Sequence, residues 1–348
     1  MAIARRLIEP TRRQVAIKHI DRVFQTRGDT MRILRELRLL RLLGQHQCII
    51  GVRDVLLPRS PLTFDDIYIV FDLFDTDLNQ MIRSKTVYDI SHRRWIMYQI
   101  LHGMQHVHAA GVFHRDLKPG NILVNANCDI KICDFGLARA EVTGGESAIF
   151  WTDYVASRWY RAPELMCTYV DAYTNAIDMW AVGCIFGELI LRAPIFPGKT
   201  VRHMLELIVQ LTGTPEMDSQ AMAAIKSTKA KALLAELPKC EGVPLATFLT
   251  ARRNRLPEVA AFGPPAASEE VELLSRLLHF DPAARSPASQ LTESCAYFDP
   301  LRALRAAQIK QEAVPRITAA DFSFEKQPSR RCDSKFAVRN FPGGARRR

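Results

Sequence analysis

His114-Arg115-Asp116-Leu117-Lys118-Pro119-Gly120-Asn121 is the stretch on which the reading of this chain turns. Within it an acid is followed by a lysine two places on and by an amide five places on. It lies inside Val112 to Arg139, where short apolar runs alternate with polar turns, as in loops that carry chemistry. Asp134-Phe135-Gly136 comes next, its aspartate 18 residues after Asp116, and Ala162-Pro163-Glu164 begins 28 residues after Asp134. Upstream stand Lys18, closing the apolar run Val15-Ala16-Ile17, and Glu36, another 18 positions along. Each element alone is a weak signal. In this order and spacing, chance explains them poorly.

Working outward, the 348 residues are 48% hydrophobic and 24% charged, a composition that excludes wholesale disorder and collagen-like repeats. The net charge of +10 is uneven, with +7 in residues 1–58 and +6 in residues 309–348. Those basic ends lack interleaved stacking aromatics, so solvated faces are a better reading than nucleic-acid binding. Eight cysteines without a CxxC pair argue against a disulfide framework or a zinc ribbon and fit a reducing compartment. The start has no apolar signal-peptide core, and the longest apolar run, Met179 to Gly187, is too short to span a bilayer. A cytoplasmic or nuclear protein is the expectation.

Element by element, Val15 to Lys18 reads as a buried strand, and Asp29 to Gly44 as a helix with Thr30 as its cap. On that helix Arg32, Arg35, Arg38 and Arg41 read as a solvated basic row. Ile67 to Phe71 is the next strand, followed by a polar connector where the lobe boundary falls. Trp95 to Val107 suits a long core-facing helix ending at Gly111, and Asp178 to Leu191 a central helix buried on nearly every side. Residues 215–268 read as a surface insertion, Glu269 to His279 as an amphipathic helix, and the chain after Pro300 as a basic tail that wraps or frays. His102 and His106 lie one helical turn apart, but Gly103 stands where an HExxH site needs glutamate, and zinc is not expected there. Cys128 and Cys133, flanking Ile130 to Ile132, read as buried strand thiols.

With these motifs the chain resembles the eukaryotic protein kinases. The resemblance implies an α+β, bilobed fold. Residues 1–74 would form a small β-rich lobe without its first strand, 75–300 a large mainly helical lobe that includes the insertion, and 301–348 a basic C-terminal extension. It also implies ATP and Mg²⁺, since phosphoryl transfer develops charge that must be neutralised while a hydroxyl is held in line. Asp134 and Asn121 would hold the metal, their oxygen donors suiting a hard cation. Asp116 would orient the attacking hydroxyl and accept its proton. Lys18, held by Glu36, would grip the α- and β-phosphates, and Lys118 would touch the γ-phosphate. The lysine in HRDLKPxN is similar to that of Ser/Thr rather than tyrosine kinases. Adenine would meet backbone groups from Asp72 to Phe74, with Ile3 above it, Ala16 and Leu123 sandwiching it and Phe71 at the back. Asp178 would hydrogen-bond the catalytic loop and Arg285 would pair with Glu164, as supports of the fold.

Thr152-Asp153-Tyr154 and its flank through Glu164 is similar to the activation lip of the mitogen-activated subfamily, as are Pro194 to Lys199 and Leu211 to Pro215. The likeness implies dual phosphorylation of Thr152 and Tyr154 by an upstream kinase, phosphates that Arg115 and Arg158 would clamp, phosphatases as further partners, and protein substrates carrying Ser or Thr before Pro. Ser157 stands where that subfamily has Thr. Counting back from Lys18 to where the last glycine of a Gly-rich hairpin belongs reaches Met1, so that hairpin is expected to be missing, leaving a truncated active kinase or an impaired scaffold. Where the family carries an acidic docking patch this chain has Arg302, Arg305 and Lys310, with Glu312 as the one acid, so basic docking peptides are expected to bind weakly.

Overall fold

The computed structural model describes residues 4–8, 14–56, 64–140, 155–167, 174–216, 219, 222, 225, 227–256, 265–305, 314–318 and 320–322. In the small lobe, β1 (Ala4–Ile8), β2 (Gln14–Ile20), β3 (Val52–Leu56) and β4 (Ile67–Asp72) form an antiparallel sheet in the order β1-β2-β4-β3. The strand over Ala4–Ile8 is not anticipated by the sequence pattern. Period-two alternation buries Val15 and Ile17 against Val70 and leaves Ala16 and Lys18 half-buried on the other face of β2. Across the pairing, Ala16 faces Phe71 and Lys18 faces Ile69.

Helix α1 (Arg27–Leu43) packs Leu37, Leu39, Leu40 and Leu43 inward and ends at Gly44, as expected. Its cap is Thr26 rather than Thr30. The Thr26 hydroxyl accepts from the Asp29 amide (3.1 Å), whereas Thr30 lies inside the first turn and donates its hydroxyl to the Val23 carbonyl (2.7 Å). The basic row also departs from a solvated face. Arg35 is buried, with Nη1 donating to the Gly136 carbonyl at 3.2 Å, and Arg38 pairs with Asp321 of the tail at 3.3 Å.

The chain crosses between lobes after β4, and β5 (Thr76–Asp77) already pairs with β7 (Ile122–Val124) of the large lobe, itself paired with β8 (Ile130–Ile132). Between them come α2 (Leu78–Arg83), α3 (Ile90–Ala109) and β6 (Val112–Phe113), the last pairing with β9 (Arg139–Ala140). Asp89 and His92 cap α3 reciprocally, which sets the start of this long core helix. After α4 (Pro163–Cys167), helix α5 (Ala176–Leu191) is buried along nearly its whole length, Asp178 and Glu188 included. Around it lie α6 (Val201–Thr212), α7 (Thr228–Ala235), α8 (Leu245–Asn254), α9 (Ser268–Leu277), α10 (Ala288–Ser294) and α11 (Asp299–Arg305).

Residues 215–268 are more than a surface insertion, because Met222, Ile225, Leu234, Leu237 and Leu249 join the large-lobe core. The alanine-rich composition hides sparse apolar anchors at wide spacing. In the tail Ile317 and Phe322 are buried, so it wraps back over the body. Cys128 and Cys133 sit just outside β8 and are half-buried, Cys128 occupying a left-handed turn position (φ 60°). Among the described residues no helix is long and apolar enough to cross a membrane.

Candidate active site

The loop from His114 to Asn121 is held by the start of α5. Asp178, at the start of α5, accepts hydrogen bonds from the amides of His114 (2.9 Å) and Arg115 (2.8 Å) and contacts His108 Nε2 at 2.9 Å. Burial works to raise the Asp178 pKa, but the His108 bond, the charges of His108 and His114 and the Arg115 amide outweigh it and leave the carboxyl below its ordinary range. These bonds maintain Arg115 at φ 70°, a left-handed conformation that turns the chain so that Asp116 follows on the open side. The His114 ring packs on Phe135 (centroids 4.7 Å apart) and bonds the Cys133 carbonyl, tying this loop to the next motif.

Around Asp116 the predicted partners converge. Lys118 Nζ donates to Asp116 Oδ2 at 2.6 Å, and Asn121 Nδ2 donates to the Asp116 carbonyl at 2.8 Å and to Oδ2 at 3.2 Å. Among the described residues, Oδ1 of Asp116 accepts no hydrogen bond. Asp134 follows β8 in a left-handed conformation (φ 66°, ψ 68°), with Phe135 fully buried behind it. From the other lobe, Lys18 Nζ meets both oxygens of Glu36 at 2.8 and 3.0 Å. Burial opposes the Lys18 charge, but Glu36 and Asp134 together more than offset it, so its pKa lies above the ordinary lysine value. Since Asp134 acts on both Lys18 and Glu36, the small-lobe pair and the large-lobe acid share one electrostatic environment.

The remaining expectations divide. Ala16 and Phe71 sit across from each other on β2 and β4, Leu123 is half-buried on β7, and Phe74 packs against the large-lobe core. The side chain of Asp72 is taken up by Arg53 at 2.5 Å. Arg285 is fully buried, forks onto Glu164 at 2.6 and 2.8 Å and lies over Trp180, as expected of a fold support. Arg158 donates to the Lys199 carbonyl and Trp159 to that of Gly198, which anchors the end of the lip. Ile3, Thr152, Tyr154, Lys310, Glu312 and the side chains of Ser157 and Arg305 lie outside the described residues. Arg302 is spent locally, capping carbonyls of Thr292 and Cys295 and pairing with Asp299.

Two functional residues are not picked out by the sequence motifs. Arg35 links α1 to the Asp134-Phe135-Gly136 segment; the signal for it is its register with Leu39 and Leu43, four and eight positions on, which places it on the apolar stripe. His108 props Asp178, and nothing in its spacing announces that. Two further histidines of α3, His102 and His106, meet another from outside the helix. His46, in the loop after α1, stacks near His102 and His106, and its burial, aided by those imidazoles and Lys131, pushes it down to about 3.

The family profile described as "Protein kinase domain" matches residues 3–297. The chain belongs to the protein kinase family. Within that family the kinase is similar to members of the mitogen-activated subfamily. It is 47% identical over 272 residues to mitogen-activated protein kinase 12 of Oryza sativa subsp. japonica, covering 76% of the kinase and 46% of the relative. It is 50% identical over 234 residues to mitogen-activated protein kinase 8 of Arabidopsis thaliana, covering 67% and 39%. The kinase therefore spans about two fifths to half the length of these curated relatives.

Proposed function

We propose that the chain is a serine/threonine protein kinase of mitogen-activated type, transferring the γ-phosphoryl group of MgATP to a Ser or Thr hydroxyl, with Pro as the following residue. The observation that carries this reading is the convergence of Lys18–Glu36 from the small lobe with Asp116, Lys118 and Asn121 from the large lobe, around Asp134. The donor set fits a divalent cation. Asn121 spends its Nδ2 on the Asp116 carbonyl, which leaves Oδ1 as an acceptor, and the Asp134 carboxylate is a second oxygen ligand of the kind hard cations take. When bound, Mg²⁺ supplies charge neutralisation at the phosphate oxygens.

The rest is done by the chain's own groups. Lys18, charged and braced by Glu36, offers an ammonium to the phosphates nearer the sugar. Lys118 reaches over Asp116 and is placed to meet the transferring group. With Oδ2 engaged by Lys118, Asp116 presents Oδ1 to the substrate hydroxyl and takes its proton as the oxygen attacks. Phe71, opposite Ala16, narrows the adenine side of the cleft. Activation by paired phosphates on Thr152 and Tyr154, placed by an upstream dual-specificity kinase and removed by phosphatases in the cytoplasm or nucleus, belongs to this reading and follows from the sequence likeness of the lip.

The test is transfer of labelled phosphate from ATP to a Ser-Pro-bearing protein by the full chain and by Asp116→Asn, before and after treatment with an activating kinase. Transfer that the variant loses by about 100-fold or more supports the proposal. Equal background in both proteins would refute it and leave a kinase-fold scaffold.

A further inference from the structure

We propose that His46, Cys48 and His102 bind one zinc ion, which pins the loop after α1 to helix α3 at a distance from the phosphotransfer cleft. Spacing along the chain argues against zinc on α3, because Gly103 stands where an HExxH site needs glutamate and no further ligand cluster follows. The missing ligands come from upstream, in Gln45 to Ile50, brought beside α3 by the fold. One ligand atom from each of the three residues lies within 4.8 Å of the others. His46 and Cys48 are almost fully buried, at 3% and 2% exposure, and the His46 and His102 rings have centroids 4.8 Å apart.

The backbone under this group is set independently of any metal. The Ile132 amide donates to the Cys48 carbonyl (2.8 Å) and the Ile50 amide to the Ile132 carbonyl (3.0 Å), so the loop is stitched to β8. On the α3 side, a Cβ added at Gly103 would come within 3.1 Å of Cys48 Cβ, and only glycine lets the helix carrying His102 approach this closely. Zn–N bonds of about 2.0–2.1 Å and Zn–S bonds of about 2.3 Å in a tetrahedron put ligand atoms roughly 3.3–3.6 Å apart. Reaching that from 4.8 Å takes side-chain rotation on a fixed backbone.

Chemistry selects the ion. Two imidazoles and a thiolate suit zinc and do not suit Mg²⁺ or Ca²⁺, so the cation of the catalytic cleft is not a competitor. Binding releases one proton, from the Cys48 thiol to solvent, as sulfur becomes the thiolate ligand. Ligation through His46 Nδ1 exchanges the hydrogen bond that this nitrogen now accepts from the Cys48 amide at 3.1 Å for the bond to the ion, water fills the fourth position, and His106, stacked on His46 at 4.6 Å, steadies that ring. Because the same loop leads from the helix bearing Glu36, and Ile132 stands two residues before Asp134, a bound ion would tie the base of α1 to the large lobe.

The test is spectroscopic and independent of kinase activity. The full chain, freed of metal with a chelator, is titrated with Co²⁺ and then with Zn²⁺. One equivalent of cobalt should produce a near-ultraviolet thiolate-to-metal band with strong visible bands of a tetrahedral site, bleached by zinc, and zinc should raise the melting temperature. Cys48→Ala should abolish the near-ultraviolet band, His102→Gln should weaken cobalt affinity at least tenfold, and Cys240→Ala should behave as the parent chain. His102 is only half-buried, so its variant tests the site even if Cys48→Ala folds poorly. No near-ultraviolet band in the parent chain, or a band and affinity that His102→Gln leaves unchanged, would overturn the proposal.

Discussion

Replacing Asp178 by Asn exchanges one oxygen for a nitrogen and removes one charge, yet it should disturb both lobe stability and catalysis. The carboxylate receives the His114 amide and His108 on Oδ2 and the Arg115 amide on Oδ1, at 2.8–2.9 Å, in a site with 1% exposure. If the asparagine oxygen takes the two donors on the Oδ2 side, its NH₂ group faces the Arg115 amide and leaves a buried N–H unpaired, at about 1–3 kcal/mol. The two surviving bonds lose their charge assistance, about 1 kcal/mol each. The sum is about 3–5 kcal/mol. At about 2–4 °C per kcal/mol for a unit of 150–250 residues, the large lobe should melt roughly 6–20 °C lower. Because the orphaned donor is the amide of Arg115, which sits at φ 70° immediately before Asp116, a shift there of about 1 Å should cost on the order of 100-fold in kcat. Calorimetry and steady-state kinetics on the folded variant measure the two effects. A variant with parental melting temperature and parental kcat would show that the loop is held by something other than this carboxylate.

Arg35→Gln removes the bond to the Gly136 carbonyl while leaving Lys18 and Glu36 in place; a charged hydrogen bond is worth about 1.5–3 kcal/mol. Steady-state assays should show kcat falling about tenfold or more, and a parental kcat would argue that the contact is only packing. For Lys18, a folded pKa above the ordinary 10.5 means that the stabilisation from its pairing is whole below pH 10.5 and disappears as pH rises through the folded value. The difference in melting temperature between the parent chain and Lys18→Met should therefore stay constant up to about pH 10 and shrink above it; a gap that widens with rising pH would contradict the assigned direction.

Much of the site is legible in the sequence because its chemistry is written in short spacings. Asp116, Lys118 and Asn121 lie within six residues, and a loop that brief leaves them no choice but to be neighbours, as the 2.6 and 2.8 Å contacts show. The strand through Val15 to Lys18, the long helix through Trp95 to Val107 and the apolar α5 follow from periodicity alone. The cap of α1 lies one turn before its expected place because Thr26 and Thr30 are equally good caps in isolation, and only the Val23 carbonyl, waiting above Thr30, separates them.

What the chain's letters decided by themselves was the resemblance to a family, carried by its ordered motifs and bringing the pair of lobes with it, and the closeness of Asp116, Lys118 and Asn121, for which short spacing suffices. Tertiary structure alone decided which distant partners the polar residues find: Arg35 a carbonyl 101 residues away, Arg38 an aspartate 283 residues away, and His46 with Cys48, in the loop after α1, a histidine on α3. A buried polar side chain is stable only against a partner, and when that partner comes from a distant segment its position is known only after the chain has folded.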